Sequence, residues 1–142
     1  VSGMVIGGHS DTGMVPLTRL ASNNSVPVSA FLSDDDLEKV KEATKVGGAT
    51  LTKLLGTSAW YAPGAAVSAL VQSIACDQKK MMPCSALLEG EYGLSDLCLG
   101  VPVILGRNGI ESIIELDLNP AELDHLTQSA EGVRKTNQLL SV

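Results

Sequence analysis

The residue of this sequence best suited to do chemistry is a histidine at the end of an apolar segment. His9 follows Val5-Ile6-Gly7-Gly8 and precedes Ser10-Asp11-Thr12-Gly13, so small residues flank an imidazole at the mouth of a buried strand. An imidazole titrates near neutrality and can take a proton and give it back, which suits general acid and base work. A histidine held in the fold by its ring nitrogens fits the same local sequence, and both readings stand at this point. Asp11 could orient the ring, but two residues of separation in a turn favour an Asx hydrogen bond that closes the turn instead. His125, between Asp124 and Leu126, reads as solvated helix surface. Thr57-Ser58 and Trp60-Tyr61-Ala62-Pro63 form a polar-to-apolar junction that suits a pocket wall and suits helix packing equally well. Arg107 reads as an exposed turn cation. Cys76, Cys84 and Cys98 are odd in number and form no CxxC pair, which argues against a disulfide scaffold and against a tetrahedral zinc site. They read as small buried apolar residues, and no metal is expected.

The elements that must position these groups follow from punctuation and period. Gly3 to Gly8 predicts a short buried strand released into a turn by paired glycines. Ser33 before Asp34-Asp35-Asp36 predicts a helix start, with a hydroxyl cap and carboxylates over the positive end of the dipole. Leu37, Val40, Thr44, Leu51, Leu54 and Leu55 then form an apolar stripe that Gly47-Gly48 could bend, and Gly56 stops the helix. A second helix is expected from about Pro63 to Lys79 and Lys80, its alanines allowing close neighbours. Pro83 to Leu88, a turn at Glu91-Tyr92-Gly93, Val101 to Leu105 and Ile110 to Leu116 read as strands, with a hairpin at Asn108-Gly109. Asn119-Pro120-Ala121-Glu122 opens a last helix whose Leu123, Leu126, Ala130, Val133 and Leu140 share one face. Helices and antiparallel strands are segregated, which predicts an α+β domain. No GxGxxG follows a strand, so these residues supply no dinucleotide-binding loop.

Composition narrows the function classes. The 142 residues fit one domain. With 44% hydrophobic and 18% charged residues the chain is too apolar for disorder. Ten basic against sixteen acidic side chains, net −6, argue against a phosphate-wrapping surface, and 3% aromatics argue against base-stacking platforms, so nucleic acid is not expected as a partner. The least polar window, Ala59 to Cys76, contains Pro63, Gly64, Ser68, Gln72 and Ser73 and reads as a helix of the core, not a membrane span. No basic n-region precedes an apolar stretch at the start, and a cytoplasmic location is expected. Val1-Ser2-Gly3 runs directly into the first apolar segment, as though the chain had been cut from something longer.

Val5-Ile6-Gly7-Gly8-His9-Ser10-Asp11-Thr12-Gly13-Met14-Val15-Pro16 resembles the active-site histidine segment of the lactate and malate dehydrogenase family. The likeness continues through Ser58-Ala59-Trp60-Tyr61-Ala62-Pro63, Leu88-Glu89-Gly90-Glu91-Tyr92-Gly93 and Gly100-Val101-Pro102-Val103-Ile104-Leu105-Gly106-Arg107-Asn108-Gly109-Ile110-Glu111. With the closing helix, these blocks cover nearly the whole chain in family order. The Tyr-Ala-Pro and Glu-Gly-x-Tyr-Gly forms are similar to the bacterial malate dehydrogenases of lactate dehydrogenase-like sequence. The resemblance implies the family's C-terminal substrate-side domain over residues 1–142, with the NAD-binding domain absent.

The same resemblance implies that His9 exchanges a proton with the C2 hydroxyl of malate as hydride passes to or from the nicotinamide. It implies that Ser58 and Ala59 border the substrate and that Pro63 flanks the nicotinamide, while NAD is held mainly by the missing domain. The aspartate paired to the histidine and the arginines that clamp the substrate lie upstream in the family, so the isolated chain is expected to be inactive. Ser10 and Gly13 depart from the pattern: many relatives have glycine after the histidine and one residue fewer before Met-Val-Pro, so the turn can differ in shape. A homo-oligomer is expected, since an uncovered apolar face invites a second copy. Two other functions fit: a lactate dehydrogenase domain, and a non-catalytic domain whose role is self-association.

Overall fold

A computed structural model describes residues 1–140. The chain runs through β1 (Val5–Gly7), β2 (Met14–Pro16), β3 (Ser22–Asn23), β4 (Val26–Pro27), α1 (Asp34–Leu55), α2 (Tyr61–Ala75), β5 (Lys80–Glu89), β6 (Ser95–Gly106), β7 (Gly109–Ile113) and α3 (Pro120–Asn137). The twelve-residue β6 is the hub of a five-stranded sheet whose pairings are all antiparallel. β5 follows one edge of β6 along its length. The opposite edge is shared, with β1 meeting it at Gly100 and β7 from Val103 onward. Pro102 sits where that edge changes partner, so its missing N–H falls in a gap of the ladder, while its carbonyl accepts from Ile114 N–H at 2.8 Å. β2 extends the sheet beyond β1, and β3 and β4 form a separate two-stranded hairpin.

Alternation along β5 and β6 places Ala86, Leu88, Leu97, Leu99, Val101 and Val103 on one face. That face packs with Ile6, Val15 and Leu17 against Leu126 and Ala130 of α3. Each fully buried leucine here contributes roughly 2 kcal/mol. The α3 start is a full capping box: Asn119 Oδ1 accepts from Glu122 N–H and Glu122 Oε2 accepts from Asn119 N–H, both at 2.9 Å. Arg19 reinforces it with an ion pair to Glu122 at 3.0 Å. Partial burial pushes the Glu122 carboxyl up, but Arg19 and the Asn119 N–H outweigh it and hold the group below its ordinary value.

The α+β architecture, the Ser33 and Asn119 helix starts and the hairpin at Asn108-Gly109 match the sequence expectations. Several details do not. Of the α1 stripe only Leu37 is buried; Val40, Thr44, Leu51, Leu54 and Leu55 are exposed because the sheet is already covered by α3 and little packs on α1 beyond β2 and a 3-10 turn. Gly47-Gly48 does not interrupt α1, which ends at Gly56 with φ +71°. α2 spans Tyr61–Ala75 and stops before the lysines; Asp77 and Lys79 have positive φ, and Lys80 opens β5. The α2 alanines meet no close neighbour on most sides, and only Ser73 is buried in that helix. Cys76 and Cys98 are exposed and Cys84 is half-buried, its thiol pushed up by burial; Cys98 points to the uncovered face of β6. Leu123 is partly exposed, and Leu140 lies past the end of α3 and is exposed.

Candidate active site

His9 stands in a turn that joins β1 to β2, and the approach of β1 to the sheet places it there. Gly7 pairs with Gly100, and a Cβ on Gly100 would lie 2.6 Å from the Gly7 carbonyl oxygen, so only glycine lets the two backbones meet. Gly7 itself has φ +92°, and a Cβ there would collide with the Gly13 carbonyl. The turn is closed by Ser10, not by the Asx bond expected from Asp11. Ser10 Oγ accepts from Gly13 N–H at 2.9 Å, and the Ser10 carbonyl accepts from Gly13 and Met14 N–H at 3.0 Å. The departures Ser10 and Gly13 are therefore partners in one local motif. From the other end, Gly8 N–H donates to the Gly13 carbonyl at 3.0 Å.

The exposed His9 faces a cleft of about 430 Å³ between this turn and the α1–α2 pair. Ser58, Ala59 and Pro63 line the same cleft, so all four residues singled out from the sequence converge on one volume. The α1–α2 junction delivers Ser58 and Ala59, and Pro63 lies in the first turn of α2, where its missing N–H costs nothing. Asp11 also lines the cleft. Sequence reasoning missed the contribution of α1: Lys45, Gly48, Ala49 and Thr52 border the cleft. Their spacing of three or four residues was the signal available, since it places them on one helix face. Lys45 ion-pairs with Glu42 at 2.8 Å and is mostly covered.

A larger groove of about 620 Å³ on the sheet side contains His9 but none of Ser58, Ala59 or Pro63. Its other walls are mainly apolar, from β1, β5 and β6. His125 is exposed on α3, in clefts with Lys45 and Glu42 or Glu38. Arg107 is exposed in the β6–β7 turn, its N–H donating to Asp77 Oδ1 at 2.9 Å. Among the described residues no group of three or more His, Cys, Asp or Glu could hold a metal ion, and no helix is long and apolar enough to cross a membrane.

The structure is an antiparallel α+β domain in which a strand-end histidine borders a cleft walled by a helix junction. Comparison with known proteins makes the class specific. The family model described as lactate/malate dehydrogenase, alpha/beta C-terminal domain, matches residues 1–139, and the chain belongs to that family. It is 64% identical over 140 residues to a malate dehydrogenase of Bacteroides thetaiotaomicron, covering 99% of this chain and 45% of that protein. A malate dehydrogenase of Flavobacterium johnsoniae is 61% identical over the same length. The chain thus spans about 45% of the length of these curated relatives. Among solved structures, malate dehydrogenase from Salinibacter ruber superposes with a TM-score of 0.93 at 44% identity, over 97% of this chain and 45% of that one. A lactate dehydrogenase from Eimeria maxima, solved with NADH and oxamate, gives 0.92 at 38% identity, over 97% of this chain and 43% of that one.

Proposed function

We propose that the chain is the substrate-side, C-terminal portion of an NAD-dependent malate dehydrogenase, an oxidoreductase that interconverts (S)-malate and oxaloacetate. The observation that carries this is the convergence of His9, Ser58, Ala59 and Pro63 on one cleft. The curated relatives at 64% and 61% identity are named malate dehydrogenase, which favours malate over lactate as substrate. In this reading His9 takes the proton from the C2 hydroxyl as that carbon loses hydride, and returns it when oxaloacetate is reduced. Bound NAD supplies the two-electron acceptor. Leu51, Ala59, Ala62 and Pro63 give the cleft an apolar wall that fits a nicotinamide face, while no glycine-rich phosphate loop occurs in the sequence. Most of the NAD contact therefore falls to the remaining part of the enzyme. Ser58 borders the substrate and offers it a hydroxyl.

The exposed apolar residues of α1 and α2, among them Leu54, Leu55, Val67 and Val71, support a homo-oligomer. The enzyme is placed in the cytoplasm on this reading. The test is oxaloacetate-dependent NADH oxidation by the full-length polypeptide beside its His9→Asn variant and the present chain alone. Loss of a general acid and base lowers the rate by about 10²- to 10⁴-fold, and the chain alone is silent. A His9→Asn enzyme at full rate makes His9 structural and overturns the mechanism.

A further inference from the structure

The His9 turn is tied to α3 by one buried hydroxyl. Ser129 is 4% exposed, and its Oγ donates to the Gly13 carbonyl at 2.7 Å while accepting from Gly8 N–H at 2.8 Å. With the Gly8-to-Gly13 bond of 3.0 Å, these three groups form a closed triangle across the base of the turn that carries His9. Serine and threonine hydroxyls inside helices commonly bond back to the carbonyl four residues earlier, as Thr127 and Thr136 do in this same helix. Ser129 instead spends both of its bonds on a turn more than a hundred residues away in sequence. Gly7 and Gly8 make this approach possible, because a Cβ on either would come within 3.1 or 3.3 Å of Ser129 Oγ. The helix is itself fixed at both ends, by Arg19 to Glu122 and by Arg134 Nη2 to the Ser95 carbonyl at 2.6 Å.

We propose that Ser129 is a positioning residue for the reaction, holding both ends of the turn from α3 so that His9 keeps one orientation toward the cleft. The proposal rests on the dehydrogenase reading above. Its test is Ser129→Ala in the full-length polypeptide, with Thr127→Ala on the exposed face of the same helix as the control. Alanine is the better helix former and Gly8 N–H keeps the Gly13 carbonyl as acceptor, so the fold survives the change. Misplacement of a reacting group lowers the chemical step, so kcat for oxaloacetate reduction is expected to fall at least tenfold in Ser129→Ala. KM for NADH stays within twofold, because the nicotinamide side of the cleft is untouched, and Thr127→Ala keeps the wild-type kcat. A Ser129→Ala kcat within twofold of wild type overturns the proposal, as does a fall shared by Thr127→Ala or matched by a rise in KM for NADH. His9→Asn run in parallel separates the two levels. Full rate in that variant, or no activity in the wild type, removes the dehydrogenase reading itself, whereas a dead His9→Asn beside a normal Ser129→Ala removes only the role of Ser129.

Discussion

Gly100→Ala isolates the contact that delivers His9 to its cleft. Gly100 has no positive φ, so alanine brings no backbone strain and the effect is purely steric. The new Cβ would stand 2.6 Å from the Gly7 carbonyl oxygen, and an ordinary contact begins at 3.4 Å, so β1 must retreat by about 0.8 Å. Among the described residues β1 pairs with β6 in the ladder only at Gly7–Gly100, so a retreat there moves the end of the strand and carries with it the histidine two residues on. Overpacking of this kind costs about 1–3 kcal/mol. At a urea dependence of about 2 kcal/mol per molar, the unfolding midpoint falls by roughly 1 M, read by far-ultraviolet circular dichroism. A displacement near 1 Å at a reacting group costs on the order of 100-fold in rate, read as kcat for oxaloacetate reduction by the full-length polypeptide. A Gly100→Ala protein with the wild-type midpoint and the wild-type kcat would show that β1 does not depend on this close approach, and the account of how His9 is placed would be wrong.

Two further outcomes concern the frame. The β3–β4 hairpin turns through Asn24 and Ser25, both at positive φ (47° and 66°), the geometry that favours Asn-Gly. Ser25→Gly removes a left-handed penalty of about 1–2 kcal/mol against an unfolded-state entropy cost somewhat below 1, so the thermal midpoint should rise by the equivalent of about 0.5 kcal/mol, and a lower midpoint contradicts the turn assignment. Glu122 has a carboxyl held below its ordinary 4.5 in the folded chain by Arg19 and Asn119, against the opposing push of burial. Its stabilisation is complete above pH 4.5 and is lost as the pH falls through the lower folded value. Glu122→Gln should flatten that part of the stability-against-pH profile while leaving the acid side otherwise intact; an unchanged acid slope in denaturant titrations at pH 3 to 6 would count against it.

What could be read from the sequence was what short-range chemistry controls. The Ser33 and Asn119 caps, the Gly56 stop and the Asn108-Gly109 turn each rest on a few adjacent residues, and each is in place. The convergence of His9 with Ser58, Ala59 and Pro63 came from resemblance, since nothing in local spacing joins a strand-end turn to a helix junction some fifty residues away. Burial was the part least legible. An apolar stripe at helical period predicts a buried face, but whether anything lies against it is a tertiary fact, and Val40, Leu51 and Leu54 remain uncovered. The cysteines fail for the same reason: small and apolar by type, two of them sit on surfaces that the sheet and helices leave open. Ser129 was invisible because a helical serine ordinarily bonds to its own backbone, and only the fold reveals that this one does not.

The two walls of the cleft are held very differently. The wall that carries His9 is fastened to the sheet through Gly7 and Gly100 and to α3 through Ser129, with main-chain bonds closing the turn on itself. The opposite wall, which brings Ser58, Ala59, Pro63 and the Lys45–Thr52 face, belongs to two helices that bury one residue each, Leu37 and Ser73. Ser73 pins α2 through its hydroxyl to the Leu105 carbonyl at 2.7 Å, but that bond lies at the far end of the helix from Pro63. The width of the cleft is thus set by the less anchored wall, whose outer faces present Leu54, Tyr61, Val67 and Val71 to water. Surfaces of that kind are covered in working proteins, and covering them is what would fix Ser58 and Pro63 against His9. On the dehydrogenase reading the chain by itself is therefore expected to be inactive for a reason visible in its own structure: half of the pocket it contains waits on contacts made elsewhere.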